Sequence, residues 1–283
     1  MSTSYDEATQ IARDYYNSSD ADRFYEKVWG GEDIHIGIYN SGDEPIREAS
    51  ERTVEHMLTR LVSIHHDADV LDIGSGYGGA ARRIAKRFGC NVTCVNLSEA
   101  ENDRNRELCR EAGLADQIDV IDGSFEKLDV PDASIDVVWC QDAILHSGDR
   151  AQVLREVDRV LKPGGRFIFT DPMQSDECPD GVLDPILQRI HLPDLGSPGF
   201  YKEQADTLGW ENLGYEDMTT QLVNHYGRVR EMTIEMHDTL VASGISEEYL
   251  ERMKGGLSRW VEGGDSGWLA WGIFLFQKPV DPA

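Results

Sequence analysis

The run Val70-Leu71-Asp72-Ile73-Gly74-Ser75-Gly76-Tyr77-Gly78-Gly79 constrains the fold of this chain more than any other feature. A buried apolar strand runs into glycines and then into a helix, and glycines at such a junction let the backbone turn and approach a ligand without Cβ clashes. From Ala68 to Thr170 apolar strands alternate with amphipathic helices, the pattern of a parallel sheet covered on both faces. Strands are predicted over 69–73, 91–96, 118–122, 135–141 and 166–170, and helices over 79–87, 100–112 and 151–161. Lys162-Pro163-Gly164-Gly165 is expected to end the last helix at a turn.

The flanks read differently. Residues 1–60 form a helical cap, with helical spacing over 5–16 and 48–62 on either side of a Gly30-Gly31 turn. Residues 61–172 make the α/β core, and 173–283 supply lid helices plus the last two strands of the sheet. Within that last part, 173–199 is a long connection suited to a lid. A helix near 201–209 and a short strand near 212–218 follow. Two helices joined around Ala242-Ser243-Gly244 then lead to an apolar strand over 268–277, expected to pair antiparallel with the one near 212–218.

Charge excludes several partners. The 283 residues carry 27 Lys+Arg against 52 Asp+Glu, a formal charge of −25. Nucleic acid and anionic membranes would be repelled by such a surface. Self-repulsion weakens as the Debye length shrinks to about 3 Å at 1 M salt, so a salty cytoplasm fits, as does an ordinary acidic bacterial enzyme. There is no long uncharged apolar run and no hydrophobic signal centre after Met1, so a cytoplasmic protein is expected, a monomer or small homo-oligomer. The five cysteines lack CxxC spacing and the histidines lack metal-ligand spacing, so neither disulfides nor a metal are expected.

The glycine loop is ambiguous by itself, because Gly74, Gly76 and Gly79 also satisfy the GxGxxG pattern of nicotinamide and flavin sites. Three features favour S-adenosylmethionine. Asp72 precedes the glycines, where a carboxylate suits a cationic ligand. Asn96-Leu97 follows the second strand at the ribose position, and Ser124-Phe125 follows the third where an adenine would reach. The fourth strand ends at Gln141-Asp142, on the carboxyl edge where open α/β sheets bind ligands.

The glycine loop and Lys162-Pro163-Gly164-Gly165 resemble class I S-adenosylmethionine-dependent methyltransferases, which implies a Rossmann-like seven-stranded α/β sheet with N-terminal and C-terminal additions. A narrower resemblance covers nearly the whole chain. The stretch 24–39 (FYEKVWGGEDIHIGIY), Gln141-Asp142-Ala143-Ile144-Leu145-His146-Ser147, Asp171-Pro172-Met173, 185–190 and 255–264 are similar to the sarcosine/dimethylglycine N-methyltransferases of glycine betaine synthesis. That resemblance implies methylation of a small zwitterionic amine and the making of an osmolyte; the alternative is a phosphoethanolamine-type or other small-molecule methyltransferase. Asn96 departs from the acid usual in the wider group, since an amide lacks the charge of a carboxylate. Gly37 is expected, by resemblance, to let the N-terminal segment close over the cofactor.

An amine must be neutral to attack a sulfonium methyl. With a lysine-like pKa of about 10.4, on the order of one molecule in a thousand is neutral at pH 7. Asp142 and His146, four apart, would share one face of a helix toward the cleft, with His146 as base or orienter. The phosphoethanolamine methyltransferases resemble this Asp-x-x-x-His segment. Arg189 is the expected carboxylate clamp, and Tyr16, Tyr25, Trp29 and Tyr201 the expected aromatic faces for the methylated nitrogen.

Overall fold

The computed structural model describes residues 10, 13–14, 17–29, 32–61 and 64–280. The expected helix over 5–16, Tyr16 and the Gly30-Gly31 turn therefore lie wholly or largely outside the described residues. Seven strands form one sheet: β1 (Asp69–Ile73), β2 (Asn91–Asn96), β3 (Ile118–Asp122), β4 (Ile135–Gln141), β5 (Leu161–Gln174), β6 (Glu211–Asp217) and β7 (Leu269–Gln277). Their order is β3-β2-β1-β4-β5-β7-β6, parallel through β5, with β7 antiparallel to both of its neighbours.

Side-chain alternation shows why these segments are strands. Val70, Val92, Val137, Trp139 and Ile168 face one layer of the core, while Leu71, Ile73, Val95, Val138, Cys140, Phe167 and Phe169 face the other. The helices are α1 (Ser19–Phe24), continuing into a π-helical turn at Tyr25–Trp29, α2 (Ile46–Arg60), α3 (Gly79–Phe88), α4 (Glu99–Glu111), α5 (Arg150–Val160), α6 (Asp184–Ile190), α7 (Pro198–Thr207), α8 (Thr219–Glu235), α9 (His237–Ala242) and α10 (Glu247–Asp265). Helices α2 and α3 pack on the first layer, and α5 and α7 on the second. Ser98, Asp149, Ser197 and Ser246 cap α4, α5, α7 and α10 by accepting from backbone N–H groups of the first turn.

Two segments differ from the sequence expectation. Lys162–Gly165 does not end the preceding helix at a free turn: Ile135 pairs with Leu161 and Val137 with Arg166, so these four residues bulge out of β5, with Gly164 at φ +79°. Residues 219–265 form three helices rather than two, because the chain also breaks at Met236.

The N-terminal piece packs on the C-terminal helices and not on the sheet alone. Phe24, Val28 and Trp29 meet Val229, Tyr249, Leu250, Met253 and Leu257, while Ile36 and Ile38 meet Leu145, Leu222 and Trp271. This second, smaller core roofs the carboxyl edge of the sheet. Among the described residues no helix is long and apolar enough to cross a membrane.

Candidate active site

The cofactor candidates gather at the carboxyl ends of β1 to β4. Gly74 has φ +73°, and a Cβ there would sit 2.3 Å from the Ala143 Cβ, so only glycine lets β1 turn beneath the segment after β4. Gly76 lies beside Ile34, and Phe125 packs its ring edge toward Gly74. Asp72 is buried, and no described residue hydrogen-bonds to its carboxylate. Burial raises its pKa to about 7 against the pull of His35 and Arg82. Gln141 accepts from Trp139 Nε1 at 2.9 Å through Oε1, and its Nε2 is buried without an acceptor among the described residues. Ser124 Oγ accepts from the Glu126 N–H.

Asn96 donates from Nδ2 to Glu101 Oε2 at 2.8 Å. The carboxylate missing at position 96 therefore stands one step behind it, on the buried Glu101. Leu97, half-buried, follows Asn96 into the α4 cap. A buried carboxylate short of donors and a buried amide short of an acceptor fit a ligand that is cationic and zwitterionic, as S-adenosylmethionine is. Gly37 is held between α2 and His225. Its Cβ position lies 2.6 Å from the Ala49 Cβ, so the glycine is needed for close packing on α2, and its N–H donates to His225 Nδ1 at 3.1 Å.

Next to the cradle lies a cavity of about 870 Å³. Tyr25, Trp29, Asp142, His146 and Arg189 all line it; the cofactor candidates do not, and the two sets meet at Gln141-Asp142. Tyr201 is a correction. It is fully buried among Phe169, Phe200 and Phe274, away from the cavity wall, and its hydroxyl donates to Asp171 Oδ2 at 2.6 Å. Asp171 Oδ1 in turn accepts the Leu145 N–H at 2.9 Å, so Tyr201 steadies the turn that carries His146.

Asp142 and His146 do not share a regular helix. Asp142 has φ +51°, and Ile144–His146 is a short 3₁₀ turn. Asp142 accepts from the Ile36 N–H at 2.6 Å and from Trp271 Nε1 at 2.7 Å, which ties the N-terminal segment to β4 and β7. Burial raises its pKa while His35 and both donors oppose the rise. Burial, aided by Arg150, lowers the His146 pKa to about 4, so its imidazole is neutral at ordinary pH.

Arg189, half-buried, donates to Met253 Sδ at 2.8 Å and pairs with no carboxylate among the described residues. It lies against Gly256, where a Cβ would come within 2.4 Å of its guanidinium carbon. His35 also lines the cavity, 3.6 Å from Asp33 Oδ1. Burial would lower its pKa, but Asp33 and Asp142 together hold it above the usual value.

Residues 71–169 match the methyltransferase-domain family. Over 277 residues the chain is 53% identical to the sarcosine/dimethylglycine N-methyltransferase of Aphanothece halophytica, covering 98% of this chain and 100% of that protein. The chain belongs to the sarcosine/dimethylglycine N-methyltransferase family. The Halorhodospira halochloris member is 52% identical over 279 residues, again across 98% of this chain and 100% of its own length. A crystal structure of a candidate sarcosine dimethylglycine methyltransferase from Galdieria sulphuraria superposes with a TM-score of 0.89 at 43% identity, covering 95% of this chain and all of the other.

Three residues that line this cavity, His35, His225 and Gly256, were not among the candidates expected from the sequence. His225 reaches the cavity from α8, and nothing local in the sequence marks it; Gly256 reaches it from α10, inside the family-like segment 255–264. His35 stood inside the family-like segment, and the Asp-x-His spacing of Asp33 and His35 was the signal that could have found it.

Proposed function

We propose that this chain transfers a methyl group from S-adenosylmethionine to the nitrogen of sarcosine, and then of dimethylglycine, giving glycine betaine. The observation that carries the reading is Arg189. In a chain with 52 acidic side chains, a half-buried guanidinium in the cavity wall has no carboxylate partner among the described residues. A small amino acid brings the missing carboxylate, and the planar guanidinium binds it in two-pronged fashion.

When bound, S-adenosylmethionine supplies an electrophilic methyl group on a sulfonium. Asp72 holds the cationic methionine portion, Gln141 Nε2 donates to an acceptor on the cofactor, and Asn96, backed by Glu101, meets the ribose. Leu97, Ser124 and Phe125 border the adenine, and Gly74 and Gly76 shape the turn under it. In the cavity, Arg189 fixes the carboxylate end of the substrate, leaving the nitrogen to the aromatic wall. The Tyr25 ring, 4.9 Å from that of Trp29 between centroids, offers a π-face to the growing positive charge. Such a face contributes about 0.5–2 kcal/mol, more as water is excluded.

His146 orients the amine and does not store its proton. An imidazolium with a pKa near 4 is far too acidic to hold a proton taken from an amine with a pKa near 10. The substrate nitrogen therefore enters neutral, a form that burial itself favours, with its lone pair left free for the methyl group; the N–H of sarcosine can donate to the neutral ring, and dimethylglycine packs its methyl groups against it. Asp142 acts through the backbone it clamps, since both of its oxygens already accept hydrogen bonds. The four buried cysteines, all thiols, and a fifth half-buried one fit a reducing cytoplasm.

The test is label transfer from methyl-labelled S-adenosylmethionine to glycine, sarcosine, dimethylglycine and phosphoethanolamine in parallel, at low and high potassium chloride. Labelled dimethylglycine and betaine are expected from sarcosine and dimethylglycine. Preferential labelling of phosphoethanolamine, or of none of the four, overturns the reading.

A further inference from the structure

His225 sits at 0% exposure in the cavity wall, on a helix that the sequence reading did not connect to the site. Its Nδ1 accepts the Gly37 N–H at 3.1 Å and lies 3.0 Å from the Tyr39 hydroxyl. A backbone N–H can only donate, so Nδ1 carries no hydrogen and the neutral ring must carry its proton on Nε2. Burial, reinforced by the nearby His35, drives the pKa of this ring down to about 3 and keeps it neutral. The Nε2–H therefore persists across the working pH range as a fixed donor.

That donor has no acceptor among the described residues. Neither does the indole Nε1–H of Trp29, which is likewise buried in the same wall. The two rings are 5.3 Å apart between centroids, tilted by 58°. Two buried N–H groups left unpaired cost free energy, and a native structure keeps such groups where a ligand completes them.

We propose that His225 Nε2–H and Trp29 Nε1–H donate to the carboxylate of the substrate, making this pair the specificity element that separates amino acids from amino alcohols of the same size. The inference rests on the proposed sarcosine and dimethylglycine activity and deepens it. A carboxylate offers about four lone-pair sites, enough to serve Arg189 and these two donors together. The guanidinium then supplies charge, and the neutral pair supplies shape and register. A hydroxyl has two lone pairs to set against these two donors and the Arg189 guanidinium together, so at least one donor of the set would be left unfilled.

Two variants separate this role from a structural one. His225→Asn keeps an acceptor for the Gly37 N–H and deletes the distal donor; Trp29→Phe keeps a ring and deletes the indole N–H. For each, the Kd of dimethylglycine is measured by calorimetry with S-adenosylhomocysteine bound, and kcat/KM is measured for dimethylglycine and for dimethylaminoethanol. Dimethylglycine binding is expected to weaken about tenfold or more in each variant. The preference for the acid over the alcohol should shrink by a similar factor, with the Kd of S-adenosylhomocysteine within about twofold of wild type. Unaltered dimethylglycine binding in both variants, or equal losses for acid and alcohol, overturns the assignment. Wild-type turnover of dimethylglycine reports on the underlying activity, and the comparison of variant with wild-type binding reports on the donor pair, so the two failures are distinct.

Discussion

Asp142 Oδ2 accepts the backbone N–H of Ile36 at 2.6 Å, across 106 positions of sequence. With Trp271 Nε1 on its other oxygen, this one carboxylate pins the N-terminal roof to the middle and the antiparallel edge of the sheet. Asp142→Asn can satisfy one of the two donors but must turn its own N–H₂ toward the other. An unsatisfied donor of that kind costs about 1–3 kcal/mol. Thermal unfolding is expected to show a clear drop in Tm, on the order of 2–4 °C per kcal/mol, together with a larger fall in kcat than in cofactor affinity. A variant as stable and as active as the wild type would remove Asp142 from its clamping role.

The raised pKa of Asp72 gives cofactor binding a signed pH dependence. Free Asp72, near 7, is partly protonated in neutral solution, while a cationic ligand favours the ionised carboxylate. Binding must release that proton, so affinity for S-adenosylmethionine is expected to rise from pH 6 to pH 8 and level off above. Asp72→Asn should flatten the curve and weaken binding by about tenfold or more. For stability the sign is opposite: between 3.8 and about 7 the folded chain holds a proton that the unfolded chain has released, so this group's contribution falls as pH rises through that window. Calorimetric titration across pH checks the binding limb, and a flat wild-type profile would contradict it.

His146 leads to a different profile. Its pKa is lowered from 6.5 to about 4, so it stays neutral through the range in which the enzyme is assayed. At saturating S-adenosylmethionine, the logarithm of kcat/KM for dimethylglycine should climb with pH as the free amine deprotonates, with no inflection near 6.5. His146→Ala should cost roughly a hundredfold in kcat through lost orientation, without changing the shape of the curve. An inflection near 6.5 that the alanine variant abolishes would make His146 a titrating base instead.

Arg189 and Gly256 form one device. Arg189→Lys should raise the KM for dimethylglycine about tenfold, because an ammonium cannot reproduce the planar two-pronged contact. Gly256→Ala leaves every charge in place yet brings a Cβ within 2.5 Å of three guanidinium atoms. Its KM should rise as well, with cofactor affinity preserved. Steady-state kinetics on both variants decides the matter, and an indifferent Gly256→Ala enzyme would break the link.

How much of this was legible in the sequence follows from the range of the interactions. Strands β1 to β4 have the bounds that alternation and glycine punctuation dictate, since those signals are local. Strand β5 runs well beyond 166–170 because its pairing with β7, residue by residue from Arg166 to Gln174, is set by a segment a hundred positions away. The break at Met236 carries neither Gly nor Pro to announce it. In the site, Arg189, His146, Tyr25 and Trp29 could be named from family-like segments, and the cavity brings them together. Tyr201 could not be told from a pocket aromatic, because its burial depends on a hydroxyl partner at Asp171, thirty positions earlier. His225 was invisible for the same reason: its place is fixed by Gly37, 188 positions away.

The central claim is that a small amino acid and the sulfonium donor meet at the junction of the glycine-loop cradle and the roofed cavity. A crystal structure of the chain with S-adenosylhomocysteine and dimethylglycine tests this directly. The account expects the nucleoside over the ends of β1 to β4, the carboxylate on Arg189, and the nitrogen facing the thioether sulfur beside His146. Dimethylglycine bound outside this cavity, or a nucleoside seated anywhere other than the cradle of Asp72 and Gly74, would contradict it.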